Sequence, residues 1–126
     1  MSTKRSLLDT NILIDFLRGR EEALTFFSYS EDYFLVSTVT VAELYSGVKG
    51  DDEIQKIEKL LKTLHITPVS ASIARRGGLL KKEYAKSHSL GIADAIIAAT
   101  AIEENAELIT LNLKHFPMIK TKEAPY

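Results

Sequence analysis

Three acidic residues lie in apolar surroundings, each near the start of a predicted helix. Asp9 follows the apolar residues 7–8, Glu43 has mostly apolar neighbours, and Asp94 stands in the first turn of the almost entirely apolar stretch 92–102. An unpaired carboxylate is costly to bury, so Asp94 in particular must meet cations, hydrogen-bond donors or a metal ion. We therefore expect the three carboxylates to share one site.

Each acid also has a purely structural interpretation. Asp, Thr and Asn are the preferred N-cap residues of helices, so residues 9–11 could simply cap the helix that follows. The two interpretations are compatible at Asp9, because Thr10 or Asn11 can cap while the Asp9 carboxylate points elsewhere. Glu43 could pair with a lysine or arginine at the edge of its helix.

The chemistry that suits clustered carboxylates is the binding of Mg²⁺ or Mn²⁺. The chain has no cysteine, which excludes disulfides, thiolate metal sites and cysteine nucleophiles. The histidines His65, His88 and His115 lack the spacing of metal ligands, and we expect them at the surface or at element edges. Divalent ions held by carboxylates are the usual framework for phosphodiester hydrolysis, since they activate water and stabilise charge on the attacking and leaving oxygens.

The elements that position these acids alternate between short strands and helices. Apolar patterning predicts strands at 6–8, 34–36, 66–69 and 108–111, and helices at 11–17, 21–27, 38–48, 51–64, 70–86 and 92–105. Strands that alternate with helices predict an α/β fold, a parallel sheet covered by helices, and Pro68 assigns its strand to an edge or an end. Ligands of such sheets gather at the carboxyl ends of the strands, which is where Asp9 lies.

Length and composition fit one globular domain that spans residues 1–126. The chain is 45% apolar and 26% charged, and its formal net charge is −1, so no global positive field attracts nucleic acid. We predict neither a signal peptide nor a membrane span, and expect a cytoplasmic protein. A local basic patch could bind nucleic acid, although it could equally be a solvated helix face; it comprises Arg75, Arg76, Lys81, Lys82 and Lys86, with one acid among them.

Several blocks of the sequence resemble a known family. Residues 7–15, 40–44 and 91–98 look like the three signature blocks of PIN-domain nucleases, in particular the VapC-like toxins of bacterial and archaeal toxin–antitoxin pairs. Residues 108–116 resemble the fourth block. The likeness covers nearly the whole chain, with the blocks in the right order.

This resemblance implies a three-layer α/β/α sandwich with a short central parallel sheet and Mg²⁺-dependent endoribonuclease activity, with Mn²⁺ as an alternative ion. It implies Asp9 and Asp94 as the principal metal ligands and Glu43 as the third acid of a catalytic triad. Polar neighbours that orient ligands or water would be Thr10, Asn11 and Thr110.

The resemblance also implies an RNA substrate, a homodimer and inhibition by a cognate antitoxin, a small DNA-binding protein. In the fourth block this chain has Asn112 where the family often has an acid, and His115 where many members have aspartate. An amide is a weaker metal ligand than a carboxylate, so we expect one firmly held ion and a second that arrives with substrate phosphate.

Other α/β classes fit the sequence poorly. A receiver domain needs paired acids after its first strand, a haloacid-dehalogenase-type phosphatase needs an aspartate where Asn11 stands, and a Ser-His-Asp hydrolase needs a G-x-S-x-G elbow, which is absent. The alternative that stays open is a non-catalytic PIN-like module that binds nucleic acid or a protein.

Overall fold

Short apolar strands form the centre of the fold. The structure is a computed structural model that describes residues 4–88, 90–119 and 124–126, apart from the His88 side chain. Within these residues four strands pair in parallel, in the order β3-β2-β1-β4. Their bounds are Arg5–Leu8 (β1), Tyr33–Ser37 (β2), His65–Thr67 (β3) and Glu107–Ile109 (β4). The predicted parallel sheet is confirmed, and β3, which precedes Pro68, is an edge strand.

Each helix predicted from the sequence is present. The described residues contain α1 (Thr10–Leu17), α2 (Glu21–Tyr29), α3 (Thr38–Ser46), α4 (Asp51–Leu61), α5 (Ala71–His88) and α6 (Ile92–Glu103). A 3₁₀ turn at Leu113–His115 follows the last strand. None of the helices described is long and apolar enough to cross a membrane.

The alternation of side chains along the strands separates two apolar cores. Successive residues of a strand point to opposite faces of the sheet. Leu8, Val36 and Ile109 accordingly pack with residues of α1, α3 and α4 on one face. Their strand neighbours Leu7, Leu35 and Leu108 pack against Ile97, Ala98 and Ala101 of α6 on the other. Helices therefore cover both faces, which confirms the predicted three-layer α/β/α sandwich.

Helices α5 and α6 run antiparallel in close contact. Arg76 near the start of α5 pairs with Glu103 at the end of α6, and Lys81 donates to the carbonyl of Leu90, just before α6 begins. The close approach requires Gly77, because a Cβ there would lie 3.0 Å from Ile96 Cγ1 and 3.2 Å from its Cα. This contact fixes the position of α6, and with it Asp94.

Polar residues follow the carboxyl ends of two neighbouring strands, the central β1 and the edge strand β4. Asp9 comes directly after β1, and Thr110 directly after β4. The backbone continues the ladder across this point, since the Asp9 N–H donates to the Ile109 carbonyl at 2.9 Å. The parallel register thus brings the side chains of Asp9 and Thr110 together.

Candidate metal centre

Asp9 is the buried centre of the site. The residue is 3% exposed and forms the N-cap of α1, with Oδ1 accepting the Thr10 N–H at 2.8 Å. Its other oxygen, Oδ2, accepts the Thr110 hydroxyl at 2.7 Å. The structural interpretation of residues 9–11 as a cap thus holds at Asp9, and neither Thr10 nor Asn11 takes that role. Asp9 itself caps the helix with one oxygen, and the other remains free to face β4.

The surroundings of Asp9 disfavour its negative charge. Burial raises the pKa of the Asp9 carboxyl above its usual range, and the charges of Asp94 and Glu43 raise it further. The hydrogen bonds from Thr110 and from the Thr10 N–H act in the opposite direction. Both of the other predicted acids are thus close enough to Asp9 to affect its ionisation.

Glu43 is connected to Asp9 through Thr10. Thr10 Oγ1 donates to Glu43 Oε1 at 2.7 Å and lies 3.0 Å from Thr40 Oγ1. A hydroxyl has a single proton, so Thr10 must accept from Thr40 while it donates to Glu43. Thr10 therefore binds Asp9 through its N–H and Glu43 through its hydroxyl, and holds the two acids at one end of α1.

Asp94 is less buried than its sequence context predicts. Residues 97–101 of α6 are buried, but the Asp94 side chain is 37% exposed and Ile92 is 53% exposed. The first turn of α6 extends beyond the apolar core, so Asp94 is partly exposed although the helix is strongly apolar. The cost of desolvation that the sequence assigns to Asp94 falls on Asp9 instead.

The loop after β4 supplies the remaining polar groups. Thr110 Oγ1 accepts the Asn112 N–H at 2.9 Å, and the Asn112 carbonyl accepts the His115 N–H at 3.0 Å. Asn112 and Asn11 are both exposed. His115 Nδ1 lies 3.8 Å from Asp94 Oδ2, so this histidine lies beside the site although it lacks the sequence spacing of a metal ligand.

The donor set fits a hard divalent cation in its chemistry. Among the residues described, neither lysine nor arginine forms an ion pair with Asp9, Glu43 or Asp94, which leaves these carboxylates without a protein cation. In the same residues no three acidic or imidazole groups are close enough to form a ready metal cluster. Binding an ion here therefore requires the side chains of the more exposed Glu43 and Asp94 to approach the fixed Asp9.

Comparison with a family profile decides the classification. The profile of the PIN domain matches residues 6–119. The chain belongs to the PIN domain family. Relatives include Ribonuclease VapC10 and Ribonuclease VapC19 of Mycobacterium tuberculosis, which are 34% and 36% identical over 123 and 124 residues. The alignments cover 95% of this chain in both cases, and 92% and 98% of the relatives.

Solved structures of similar fold come from complexes. A toxin–antitoxin complex from Klebsiella pneumoniae contains a chain that superposes with a TM-score of 0.82 and 37% identity, covering 96% of this chain and 98% of that one. VapBC2 from Rickettsia felis bound to a DNA fragment from its promoter superposes with a TM-score of 0.79 and 26% identity, covering 95% and 96%.

One acid of the first PIN signature block lies outside the site. Asp15 accepts the Tyr126 hydroxyl at 2.6 Å and pairs with Arg20 at 3.1 Å. The Arg20 guanidinium also lies 5.1 Å from the centre of the Tyr126 ring. Asp15 therefore anchors the last residue of the chain to α1 and α2.

The predicted basic patch is divided along α5. Arg76 is paired with Glu103, and Lys81 is bound to a backbone carbonyl. Arg75 lies near the start of α5, about 16 Å along the helix from Lys86. Lys82 and Lys86 are exposed on the part of α5 next to the start of α6, which carries Asp94.

Thr40 and His115 contact the site although neither was predicted to do so. Thr40, the first residue of the 40–44 block, is fully buried against Thr10, and Ser37 caps α3. The spacing of Thr40 and Glu43, three residues apart on one helix, could have predicted that they share a face, but not that Thr40 contacts Thr10. For His115 the signal is its place in the fourth block, where many members of the family have aspartate, but its approach to Asp94 depends on the conformation of residues 110–115.

Proposed function

We propose that this PIN domain is a Mg²⁺-dependent endoribonuclease that hydrolyses RNA phosphodiester bonds and acts as the toxin of a toxin–antitoxin pair. The observation that carries the proposal is the buried Asp9 carboxylate, held by two hydrogen bonds beside Asp94 and Glu43 and without an ion pair to lysine or arginine in the described residues. The names of the relatives, which are ribonucleases, support the reaction class.

The residues would divide the work as follows. Asp9 and Asp94 would be the principal ligands of the ion, and Glu43 would complete the set. The bound ion would activate water and stabilise negative charge on the phosphate. The Thr10 N–H and the Thr110 hydroxyl each donate one hydrogen bond to a different oxygen of Asp9. These bonds fix the orientation of the carboxylate and leave one lone pair on each oxygen for the ion. Thr10 orients Glu43 in the same way.

RNA would reach the site along the end of α5. Lys82 and Lys86 are four residues apart on one helix face and are exposed near the start of α6. Phosphate groups bound there would place the adjacent backbone near Asp94. Because Arg76 and Lys81 already have protein partners, we assign them to the stability of the α5–α6 pair rather than to RNA.

The antitoxin would bind beside Glu43. A groove of about 320 Å³ between α1, α3 and α4 reaches this acid. Its lining combines the charged residues Arg18, Glu53 and Lys56 with apolar ones, which are Ile14, Leu17, Leu44, Val48 and Ile57. An apolar segment in the groove could direct a lysine or arginine toward the three carboxylates and exclude the metal ion. The similar chain from Klebsiella pneumoniae belongs to a toxin–antitoxin complex and the one from Rickettsia felis to VapBC2, which supports a partner of this kind.

The proposal includes a homodimer in the cytoplasm. Apolar side chains of α5 and α6 are exposed, with Leu79 at 49% and Ile92 at 53%. Equilibrium sedimentation tests the dimer: a monomer at micromolar concentration would contradict it, and Leu79→Glu should shift a dimer toward monomers.

The main experiment is RNA cleavage by the purified chain. Single-stranded RNA should be cut in Mg²⁺ or Mn²⁺ and stay intact in EDTA. Asp94→Asn should abolish cleavage yet unfold at the same or a higher temperature, because it removes repulsion from Asp9. The control is Asp52→Asn, the same change at an exposed position in the first turn of α4, which should cleave normally. Cleavage by Asp94→Asn at the wild-type rate would contradict the proposal.

A second candidate is a non-catalytic module that binds RNA or protein. The observation that favours it is the lack of a ready cluster of three metal-binding side chains in the described residues. Binding of RNA in the absence of divalent ions, together with a lack of cleavage in the presence of any divalent ion, would support this function.

The toxin role has its own test. Expression of the chain alone should arrest bacterial growth, and co-expression of the neighbouring gene should restore it. A chain that is harmless in cells but cleaves RNA in vitro would point to a nuclease that is not a toxin.

A further inference from the structure

The His115 side chain lies beside Asp94, although the sequence predicts it only at the surface or at the edge of an element. The side chain is half exposed, and its Nδ1 lies 3.8 Å from Asp94 Oδ2. That separation is too long for a hydrogen bond. It is close to the roughly 3 to 4 Å that separates two atoms bound to the same ion through bonds of about 2.1 Å.

The backbone holds His115 in the same loop that binds Asp9. Thr110 donates to Asp9, accepts the Asn112 N–H, and the Asn112 carbonyl in turn accepts the His115 N–H. These bonds, the last of which belongs to the 3₁₀ turn, hold the backbone of His115 in the loop that contacts the buried Asp9 carboxylate.

We propose that His115 is a ligand of the site's metal ion and makes the site prefer first-row transition ions, such as Mn²⁺ or Co²⁺, over Mg²⁺. This inference rests on the proposed function, because it assigns one more ligand to the same ion. Imidazole nitrogen is a good ligand for transition ions, whereas Mg²⁺ prefers oxygen. A site of carboxylates with one imidazole accordingly binds along the series Mn²⁺, Fe²⁺, Co²⁺ with rising affinity.

Calorimetric titration of the metal-free chain with Co²⁺ and with Mg²⁺ tests the preference without reference to activity. We expect His115→Ala to weaken Co²⁺ binding about tenfold or more and Mg²⁺ binding by less than about threefold. The visible absorption of bound Co²⁺ should change in the same variant, since it reports loss of a nitrogen ligand. His115→Asp should restore Mg²⁺ affinity relative to Co²⁺.

The matched control is His65→Ala. His65 is an exposed histidine on β3 whose ring lies 5.8 Å from that of Tyr33, at the opposite end of its strand from the site. Its removal should leave both affinities and the Co²⁺ spectrum unchanged.

Two results would overturn the inference. His115→Ala could bind both ions more tightly, which would show that the imidazolium competes with the metal for Asp94. It could instead leave the ratio of the two affinities unchanged. Cleavage assays separate these outcomes from failure of the proposed function. If Asp94→Asn still cleaves RNA, the proposed function fails. If Asp94→Asn is inactive but His115→Ala leaves the metal preference unchanged, the inference alone fails.

Discussion

Replacing Thr110 with valine tests whether the site is built around the buried Asp9 carboxylate. The Thr110 hydroxyl is fully buried, donates to Asp9 Oδ2 at 2.7 Å and accepts the Asn112 N–H at 2.9 Å. Valine has nearly the same shape and removes both hydrogen bonds. A hydrogen bond to a charged group contributes about 1.5–3 kcal/mol, and a neutral one about 1 kcal/mol. We expect the free energy of unfolding to fall by about 2–4 kcal/mol.

Thr67→Val is the matched control for this substitution. Thr67 is the last residue of β3, at the same carboxyl edge of the sheet, and is 3% exposed. Its hydroxyl has no hydrogen-bond partner among the residues described. An unsatisfied buried hydroxyl costs about 1–3 kcal/mol, so replacing it with a methyl group should leave stability unchanged or raise it. The same chemical change is thus expected to have opposite effects at two buried positions.

The loss at Thr110 should depend on pH through Asp9. Thr110 stabilises the ionised carboxylate, so its removal raises further the pKa of Asp9, which burial already raises. An acid with a higher pKa in the folded protein contributes stability at low pH, and that contribution is lost as the pH rises through the folded pKa. The cost of Thr110→Val is therefore largest above the folded pKa of Asp9 and smaller in acid.

Urea denaturation in EDTA, followed by circular dichroism, measures both effects. Wild type, Thr110→Val and Thr67→Val are compared at about pH 7.5 and at lower pH values down to about pH 4, because the pKa of Asp9 is raised. Equal costs for the two threonine variants, or a Thr110→Val cost that is the same at all of these pH values, would refute the role assigned to Asp9.

Further substitutions test the packing, the RNA path and the metal stoichiometry. Gly78 has open space around it, so Gly78→Ala should stabilise α5 by about 0.5–1 kcal/mol in thermal or urea unfolding. At Gly77 an added Cβ would meet the Ile96 backbone, so Gly77→Ala should destabilise the protein by about 1–3 kcal/mol. A gain in stability at both positions would contradict the close helix contact. The double variant Lys82→Ala/Lys86→Ala should lower the slope of log RNA affinity against log salt by about 2, and Arg75→Ala should leave it nearly unchanged; equal effects in a fluorescence-anisotropy titration would reject the assigned path. Asn112→Asp should strengthen Mg²⁺ binding without RNA in calorimetry, and two tightly bound ions in the unsubstituted chain would contradict the expected single firm ion.

The architecture was predictable because each layer leaves a local pattern. Alternating short apolar strands and amphipathic helices predicted the parallel α/β sheet, and Pro68 predicted that β3 is an edge. The neighbouring apolar residues Leu7 and Leu8 of β1, and Leu35 and Val36 of β2, face one core each, and the sequence alone could not assign them to a face. That assignment depends on the register between strands, which only the folded sheet sets.

The acids of the site were predictable as residues but not in their environments. The sequence places the greatest burial at Asp94, whereas the structure buries Asp9 and leaves Asp94 partly exposed. Composition shows that α6 is apolar but not how far its first turn extends beyond the core. The Thr40–Thr10 contact joins residues thirty positions apart, and the contact of Asp94 with His115 depends on a loop, so neither follows from local spacing.

Anomalous diffraction from crystals grown with Mn²⁺ tests the central claim most directly, since it locates the ion without reference to activity. The proposal that Asp9, Glu43 and Asp94 form one metal site predicts an anomalous peak in contact with the carboxylates of Asp9 and Asp94, and its loss in Asp9→Asn crystals. Mn²⁺ bound only at other residues, or a peak of the same height in the Asp9→Asn variant, would contradict it.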